Sequence, residues 1–206
     1  GDGNPSIEMS VITGRARATR TPVFASRVTT VVLNPDWQVP DSIVRREILP
    51  ALERDPNYLI RNHMEMTGEG RALRVRQSPG PWNALGQIKF VLPNPHSVFL
   101  HGTPSQELFT RARRDFSHGC VRVEDPLALA GWILGQDSEW TEARLLAAIR
   151  QGKTQSIAVV RPSRIVIFYM TAAFIPDQGI IRFVGDVYGH DARLDAWLKA
   201  RQGRMP

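Results

Sequence analysis

The sequence predicts an α+β fold, in which a mixed β-sandwich or barrel is flanked by a few helices and carries a small insertion. Short β-branched or apolar runs recur along the chain, and Pro- and Gly-rich turns separate them. These runs do not alternate regularly with helical patterns, which disfavours a doubly wound parallel sheet. The 206 residues are enough for one domain with a sizeable core.

The first third of the chain predicts two strands and a helix. Strands are expected over residues 7–12 and 27–33, where β-branched side chains dominate. Residues 34–40 contain two prolines and predict a loop. An Asp cap then opens a helix over residues 41–53, and residues 55–70 are expected to be irregular and polar. The apolar face of the helix comprises Ile43, Ile48, Leu49 and Leu52.

The middle of the chain predicts three short strands and two helices. The strands are expected over residues 71–77, 87–92 and 98–101, and Ser78–Gly86 is a Pro/Gly-rich turn. Asp125 followed by Pro126 is a strong helix start, and this helix is expected to stop near Gly135. A second helix is expected over residues 138–150.

The end of the chain predicts two strands and a last helix. Residues 165–170 are apolar and indicate a core strand, and residues 186–188 are expected to form the final strand. A terminal helix over residues 191–201 would place Leu194 and Trp197 on one face with Leu198.

Composition and charge exclude several classes of protein. No apolar run approaches the roughly 18 residues that span a bilayer, and no signal-peptide pattern is visible. The net charge of +6 suits a soluble protein, or one attracted to a nucleic acid or an anionic cell envelope. Because the arginines are scattered and no nucleic-acid-binding motif occurs, we expect no nucleic-acid partner.

The chain has one cysteine, Cys120, so no internal disulfide can form. It lies in the segment Phe116–Val123, between a glycine and a β-branched residue and close to a histidine and an arginine. Such neighbours favour a thiolate. We therefore expect Cys120 to be the nucleophile of an acyl-transfer enzyme.

Two histidines are candidates for the base that takes the thiol proton. His101 ends a predicted strand, so it comes from a separate element and can approach Cys120 freely. His118 lies two residues before Cys120. In an extended segment its side chain points to the same face as the thiol, but its ring must fold back to reach the sulfur.

The segment Ser117–Cys120 predicts a turn that presents backbone N–H groups. Gly119 permits a positive φ, so the N–H groups of Gly119 and Cys120 can point to one spot, as in an oxyanion hole. Two residues beyond the cysteine, the planar guanidinium of Arg122 suits a carboxylate, with a surface ion pair as the alternative.

A zinc site is a competing use of the same residue types. His96, His101, His118 and Cys120 are all possible ligands. One cysteine with this irregular histidine spacing matches no structural zinc pattern, so we expect no metal. No organic cofactor is expected either.

These residues resemble the signature of the L,D-transpeptidase catalytic domain of the YkuD type. That signature is a His, about fifteen residues, then Ser-His-Gly-Cys with an Arg or Asn two positions on. Here it corresponds to His101, Ser117–Cys120 and Arg122. Further segments are similar to the larger YcbB-like branch, and they comprise residues 21–24, 34–40, 77–86 and 185–191. The resemblance covers most of residues 9–191.

The resemblance implies a reaction on bacterial peptidoglycan. Cys120 would attack the carbonyl of the third residue of a donor stem peptide and expel the terminal D-Ala. The amine of an acceptor stem would then take the acyl group, giving a 3→3 crosslink. The implied location is the periplasm or cell envelope, and carbapenems are implied inhibitors.

Two other functions stay open beside the transpeptidase. Water can hydrolyse the same thioacyl-enzyme, which would make the protein an L,D-carboxypeptidase or endopeptidase. A non-enzymatic wall-binding module is disfavoured, because it has no use for a His, Cys and Arg grouping.

The resemblance also implies roles for single residues. His101 would be the base, oriented by the backbone carbonyl of Gly102, and His118, Gly119 and Cys120 would form the oxyanion turn. Arg122 would hold a substrate carboxylate or fix the loop. Further substrate contacts are expected from Ser117, Thr103, Trp82 and Asn83. Gly102 stands where the family often has Asp or Ser, which leaves it only a backbone role.

The expected organisation is one catalytic domain over residues 1–206. Residues 40–76 would be a capping subdomain or a flap inserted in it. The family's domain normally opens with another strand, so we expect an N-terminal part of the full protein to be absent from this sequence.

Overall fold

A computed structural model describes residues 6–135 and 139–202 as strands and helices joined mostly by short turns. The strands are β1 (Val11–Gly14), β2 (Phe24–Leu33), β3 (Trp37–Gln38), β4 (Met64–Thr67), β5 (Arg74–Gln77), β6 (Ile88–Val91), β7 (Leu100–His101), β8 (Asp115–Ser117), β9 (Val121–Val123), β10 (Gln155–Ile167), β11 (Ala172–Ile175) and β12 (Ile180–Phe183). The helices are α1 (Asp41–Ile43), α2 (Leu49–Arg54), α3 (Tyr58–Arg61), α4 (Pro126–Leu134), α5 (Glu142–Arg150) and α6 (His190–Gln202).

The centre of the molecule is a seven-stranded mixed sheet with the order β10-β2-β6-β7-β9-β1-β8. This architecture of a mixed sheet with helices confirms the α+β prediction. The sheet is open, because β10 and β8 lie at its two ends and do not pair with each other in the described chain. The sandwich or barrel detail is therefore not confirmed.

One face of the sheet and the helices α4 and α5 enclose the main core. Along β6, Ile88 and Phe90 point into this core, while the alternate residues Lys89 and Val91 are half-buried. Phe90 is fully buried. The core also takes Leu100 from β7 and Val121 from β9, so these strands are anchored through every second residue.

The predicted helix starts after the site segment are confirmed in part. The Asp125 carboxylate accepts the N–H of Ala128 at 2.9 Å, and Pro126 occupies the first turn of α4. Helix α5 begins at Glu142, where the Thr141 hydroxyl caps it. The start expected at residue 138 is therefore too early, and Ser138 itself lies outside the described residues.

Residues 40–76, predicted above to be an insertion and called the insertion below, supply β4 and β5 of a three-stranded sheet and most of a second small core. The predicted helix is present, but a π-helical turn over Val44–Ile48 joins α1 to α2. Asp41 does not cap it, since Pro40 holds that position and Asp41 pairs with Arg45 instead. The segment expected to be irregular contains α3 and β4, and β4 pairs with β5. Strand β3 lies in the predicted loop.

The chain ends in a hairpin and an exposed helix. Strand β10 runs through Gln155–Ile167, so only the first half of the core strand expected at residues 165–170 is strand, at the outer end of β10. Residues 168–170 lie outside any strand, and Val166 is exposed. Strands β11 and β12 form a hairpin that sequence analysis did not predict. The terminal helix is confirmed, but its Leu194, Trp197 and Leu198 face is exposed.

The strand predicted at residues 186–188 is wrong, because this segment is a turn. The Asp186 carboxylate accepts the N–H groups of His190, Asp191 and Ala192 and so caps α6. Side-chain capping therefore replaces the strand pairing that the apolar pattern suggested. No helix in the described part of the chain is long and apolar enough to cross a membrane.

Candidate active site

Cys120 lies in a tight turn between β8 and β9. The Ser117 hydroxyl donates to the Cys120 carbonyl at 2.5 Å and accepts the N–H of Gly119 at 3.1 Å. Gly119 has a φ of +117°, a conformation that side chains with a Cβ rarely adopt. The turn is therefore closed on itself through Ser117, whose side chain is almost fully buried.

A second layer of hydrogen bonds fixes this turn to the start of the chain. The Thr21 hydroxyl donates to the Gly119 carbonyl at 2.9 Å, and the Thr19 hydroxyl donates to the Ser117 carbonyl at 3.0 Å. The Tyr188 hydroxyl donates to the Gly14 carbonyl and accepts the N–H of Thr21. Tyr188, in the segment predicted to be a strand, therefore holds Thr21, which in turn bonds to the cysteine turn.

The parallel pairing of β7 with β9 brings His101 and Cys120 to the same side of the sheet. In this register His101 lies opposite Arg122, and Leu100 lies opposite Val121. Because alternate residues of a strand share a face, the Cys120 side chain projects on the same side as His101 and Arg122. Neighbouring strands are about 4.8 Å apart, so the thiol and the imidazole are diagonal neighbours.

The His101 ring is buried and has a defined tautomer. Its Nδ1 lies 2.5 Å from the Gly102 carbonyl oxygen. A carbonyl can only accept, so Nδ1 carries the hydrogen and Nε2 keeps its lone pair. Burial, and next the Arg122 charge, lower the pKa of His101 to about 3, against opposition from the Gly102 and Leu85 carbonyls. The ring is therefore neutral at physiological pH.

The Cys120 thiol is half-buried and protonated at rest. Burial raises its pKa, and the Phe99 N–H, the Lys89 ammonium and the Arg122 guanidinium only partly oppose this. Arg122, a neighbour in sequence, favours the thiolate as expected, but burial outweighs this effect. Neighbours in sequence did not reveal how far the folded chain takes the sulfur out of water.

Arg122 is a half-buried cation with a free donor. Its Nε is buried and makes no hydrogen bond within the described part of the chain. Burial, and next the Arg15 charge, lower the pKa of Arg122, while Cys120 and Glu107 oppose the shift. A guanidinium stays charged under such conditions, so this site retains the capacity to bind an anion.

A cavity of about 320 Å³ opens on the Cys120 turn. Its lining comprises Thr19, Arg20, Pro22, His96, Ser97, Val98, His118, Gly119 and Cys120. The Arg20 guanidinium lies 5.7 Å from the Tyr188 ring centroid, and its Nε donates to the Ala16 carbonyl at 2.6 Å. The cavity thus offers a positive charge in a fixed position.

His118 points away from the role of base. Its Nε2 lies 2.6 Å from a carboxylate oxygen of Glu47, which belongs to the π-helical turn of the insertion. The contact joins the cysteine turn to the insertion across 71 residues of sequence. Irregular helical turns of this kind often occur at functional sites, and here the turn carries Glu47.

The oxyanion expectation for Gly119 needs a correction. Its N–H is already bonded to Ser117, so it is not free to bind a substrate oxygen. The N–H of Cys120, by contrast, makes no hydrogen bond within residues 6–135 and 139–202. Only this second member of the expected pair is available.

Several expected substrate-binding residues are buried and hydrogen-bonded within the protein. Asn83 is fully buried, and its amide bonds to the Pro35 and Ser78 carbonyls and to the Leu85 N–H. Thr103 is buried and caps the next turn through Ser105. The polar side chains of Asn83, Thr103 and Ser117 are used in hydrogen bonds within the protein, and their contact with substrate stays a prediction.

Trp82 and Gly102 have structural settings of their own. Trp82 stacks on His63 of the insertion with ring centroids 3.7 Å apart, and it does not line the cavity at Cys120. Gly102 packs against Gly86, which has a φ of +64° and where a Cβ would lie 2.7 Å from the Gly102 carbonyl carbon. The predicted Pro/Gly-rich turn therefore allows the backbone approach that places the Gly102 carbonyl.

Sequence reasoning missed three charged residues around the site, namely Arg20 at the cavity, Lys89 and Glu47. Lys89 lies on β6 directly opposite His101 in the antiparallel register. A signal for it existed, since a lysine between Ile88 and Phe90 must face the opposite side from the core. Glu47 had no such signal, because only the folded insertion brings it to His118.

The described residues contain no group of three or more His, Cys, Asp or Glu side chains that could hold a metal ion. Of the four candidate zinc ligands, His96, His118 and Cys120 line the cavity, while His101 is buried and does not line it.

Two similarities to known proteins bear on this arrangement. A model of the YkuD family, the L,D-transpeptidase catalytic domain, matches residues 1–167. A protein of Haemophilus influenzae named "Putative L,D-transpeptidase" is 35% identical over 211 aligned positions, which cover 94% of this chain. The chain spans 42% of the length of that relative.

Proposed function

The chain belongs to the L,D-transpeptidase catalytic domain family, and we propose that it forms 3→3 peptidoglycan crosslinks through a thioacyl-enzyme on Cys120. One observation carries the proposal. His101 is buried opposite Arg122 in the pairing of β7 with β9, and its Nδ1 donates to the Gly102 carbonyl, which leaves Nε2 as an acceptor. Such a ring is prepared to take a proton from a thiol, which fits a base and not a surface histidine.

In the first half-reaction Cys120 attacks the carbonyl of the third residue of a donor stem. Sγ forms a bond to that carbon as its proton moves to Nε2 of His101. The C–N bond to the terminal D-Ala then breaks, and the imidazolium returns the proton to the leaving amine. Because thiol and imidazole are both neutral at rest, proton transfer accompanies attack and does not precede it.

In the second half-reaction an acceptor amine attacks the thioester. His101 takes a proton from the attacking nitrogen, the C–S bond breaks, and the proton passes to Sγ. The enzyme returns to its neutral pair, and the products are a crosslinked dimer and the D-Ala released earlier. Water in place of the amine would give a tripeptide stem, which is the hydrolytic alternative.

Two groups support the charged species on this route. The N–H of Cys120 is free to donate to the oxyanion of the tetrahedral intermediate. The buried Nε of Arg122 is free to donate to a carboxylate of the donor stem. Both donors are fixed by the turn and by the strand that follows it, so they need little rearrangement.

Residues 40–76 are proposed to act as a cap on this site. The contact between Glu47 and His118 links the insertion to a residue that lines the cavity. Trp82 and His63 form a second contact between the insertion and the body. Substrate bound at Cys120 would therefore lie next to the cap. A peptidoglycan substrate places the proposed activity in the bacterial cell envelope.

The test is incubation with a disaccharide-tetrapeptide followed by mass spectrometry. Transfer predicts a dimer lacking one D-Ala, hydrolysis predicts the tripeptide alone, and Cys120→Ala predicts neither product. Unchanged turnover in Cys120→Ala would contradict the mechanism. A carbapenem gives an independent check, because it should add to the wild type with the mass of one molecule and not to the alanine variant.

A further inference from the structure

Lys89 is a half-buried lysine on the face of the sheet that carries His101. Its neighbours on β6, Ile88 and Phe90, point into the main core, so alternation directs the lysine to the side of His101 and Cys120. The chain has 26 Lys and Arg residues, and only three of them are lysines. Of these, Lys89 alone lies in the strands that carry the site.

The position of the Lys89 ammonium is fixed by an aromatic ring. Nζ lies 4.1 Å from the centroid of the Phe99 ring, in the geometry of a cation–π contact. The Phe99 ring in turn lies 5.5 Å from the His101 ring. In the register of β6 with β7, Lys89 is the direct partner of His101. The ammonium therefore lies on the face of the sheet that carries His101, against the Phe99 ring.

No carboxylate in the described part of the chain forms an ion pair with this ammonium. Within residues 6–135 and 139–202, no Asp or Glu lies within ion-pair distance of Lys89. Burial lowers the pKa of Lys89, and the negative form of Cys120 is the group that opposes the shift. The same charge helps to lower the pKa of Cys120. A half-buried cation without a counter-ion is costly, unless a negative charge appears nearby during function.

We propose that Lys89 is the counter-ion of the Cys120 thiolate, and that its ammonium compensates the charge that develops on Sγ as His101 takes the proton. The proposal rests on Cys120 being the nucleophile of the proposed function. Lys89 transfers no proton and forms no bond to substrate in this role. It remains an ammonium while the proton moves from Sγ to Nε2 of His101.

The other charged and titratable groups around the thiol come from several elements. His101 on β7 and Arg122 on β9 share its face, and Arg15 and Glu107 act on Arg122. The remaining groups lie around the cavity and are Arg20, His96 and His118. Arg122 is the second cation that favours the thiolate, so loss of Lys89 should weaken the effect without removing it.

The experiment is the pH dependence of Cys120 alkylation by iodoacetamide. The chain has one cysteine, so a single adduct reports this thiol without interference. The variants are Lys89→Met and Lys89→Gln, with Lys89→Arg to restore the charge. The control is Lys199→Met, which removes the same charge from an exposed ion pair on α6.

Loss of Lys89 should move the midpoint of the alkylation profile to higher pH and slow the reaction at pH 7 by about tenfold. Lys89→Arg should stay within about twofold of the wild type, and Lys199→Met should be unchanged. Near-UV circular dichroism identifies any variant that does not fold. If one of the two neutral variants does not fold, the other still gives the alkylation profile.

Superimposed profiles for the wild type and both neutral variants would overturn the proposal. A rise in KM for the stem peptide with an unshifted alkylation profile would also overturn it, because Lys89 would then bind a substrate carboxylate. Alkylation needs no peptidoglycan. A shifted profile in a protein that turns over no muropeptide would therefore sink the proposed function and leave the counter-ion role standing.

Discussion

The two faces of the central strands differ in what they contribute, although they are built from adjacent residues. Facing the helices, Phe90 and Leu100 are buried among apolar side chains and hold the sheet in place. Facing the other way, Lys89 and His101 are polar groups half or fully removed from water. Strand alternation thus lets one pair of short strands supply stability on one side and reactivity on the other.

The difference between the two faces predicts which property of the protein a single substitution should change. A change on the apolar face should alter the free energy of unfolding and leave the reactivity of folded molecules intact. A change on the polar face should alter the chemistry and have a smaller or opposite effect on stability. Four substitutions or conditions test this separation, from the largest expected effect to the smallest.

His101→Gln should cause the largest loss of activity. Glutamine can still donate to the Gly102 carbonyl, but it cannot take the thiol proton. Removal of a general base typically costs about 10²- to 10⁴-fold in rate. The measurement is kcat on a tetrapeptide muropeptide, with folding checked by near-UV circular dichroism. A folded variant that keeps more than a tenth of the activity would show that another group is the base.

Phe90→Ala should have the largest effect on stability. The ring is fully buried in the main core, and such truncations cost about 3–5 kcal/mol. Urea unfolding should report this loss. At a temperature where the variant is folded, alkylation of Cys120 should stay within about twofold of the wild type. A large change in thiol reactivity would break the separation between the two faces.

The stability of the wild type should fall as the pH decreases from about 6.5 towards 3. Burial holds the pKa of folded His101 at about 3, below its ordinary value of 6.5, so the unfolded chain binds the proton more readily in that range. This contribution, present above pH 6.5, should decrease by about 2–3 kcal/mol between pH 7 and 4.5.

Urea midpoints at pH 7.0, 5.5 and 4.5 measure this dependence. His101→Gln is the matched control, and its slope against pH should be flatter than that of the wild type. Asp115, whose pKa its contact with Arg113 lowers to about 2, adds acid sensitivity only below this range. Parallel slopes for the two proteins would mean that burial does not keep folded His101 in the neutral form.

Glu47→Gln should have the smallest effect, a fewfold change in KM with little change in stability. Its contact with His118 joins two half-exposed side chains, and such pairs contribute at most about 1 kcal/mol. The measurement is KM for muropeptides against the rate of Cys120 alkylation. The control is Glu53→Gln, because Glu53 lies on the same insertion but makes no hydrogen bond or ion pair with the cysteine turn among the described residues. Equal effects of the two substitutions on KM would mean that the contact of Glu47 with the turn does not contribute to substrate binding.

The sequence identified the candidate nucleophile, base and arginine because they lie in two short segments. His101 and the Ser117–Cys120 turn, with its positive-φ glycine, were placed by motif alone. The α+β class and the helix start at Asp125 followed from periodicity and capping chemistry. These features depend on residues a few positions apart, and such interactions are read directly from a sequence.

The features that sequence analysis missed depend on long-range contacts. The turn at Asp186 and Tyr188 was mistaken for a strand, because its bonds to Gly14 and Thr21 span most of the chain. Asn83 was expected to bind substrate, although its amide is consumed by backbone groups of its own turn and of Pro35. The effect of burial on the pKa of Cys120 could not be predicted, because burial has no local signature and outweighs the nearby cations.

The central claim is that acyl transfer passes through Cys120 on the polar face of the sheet. Intact-protein mass spectrometry during turnover of a tetrapeptide stem tests this most directly. The wild type should gain the mass of one acyl group with loss of D-Ala, and digestion should place that group on Cys120. Turnover without any such adduct, or an adduct that survives in Cys120→Ala, would contradict the account.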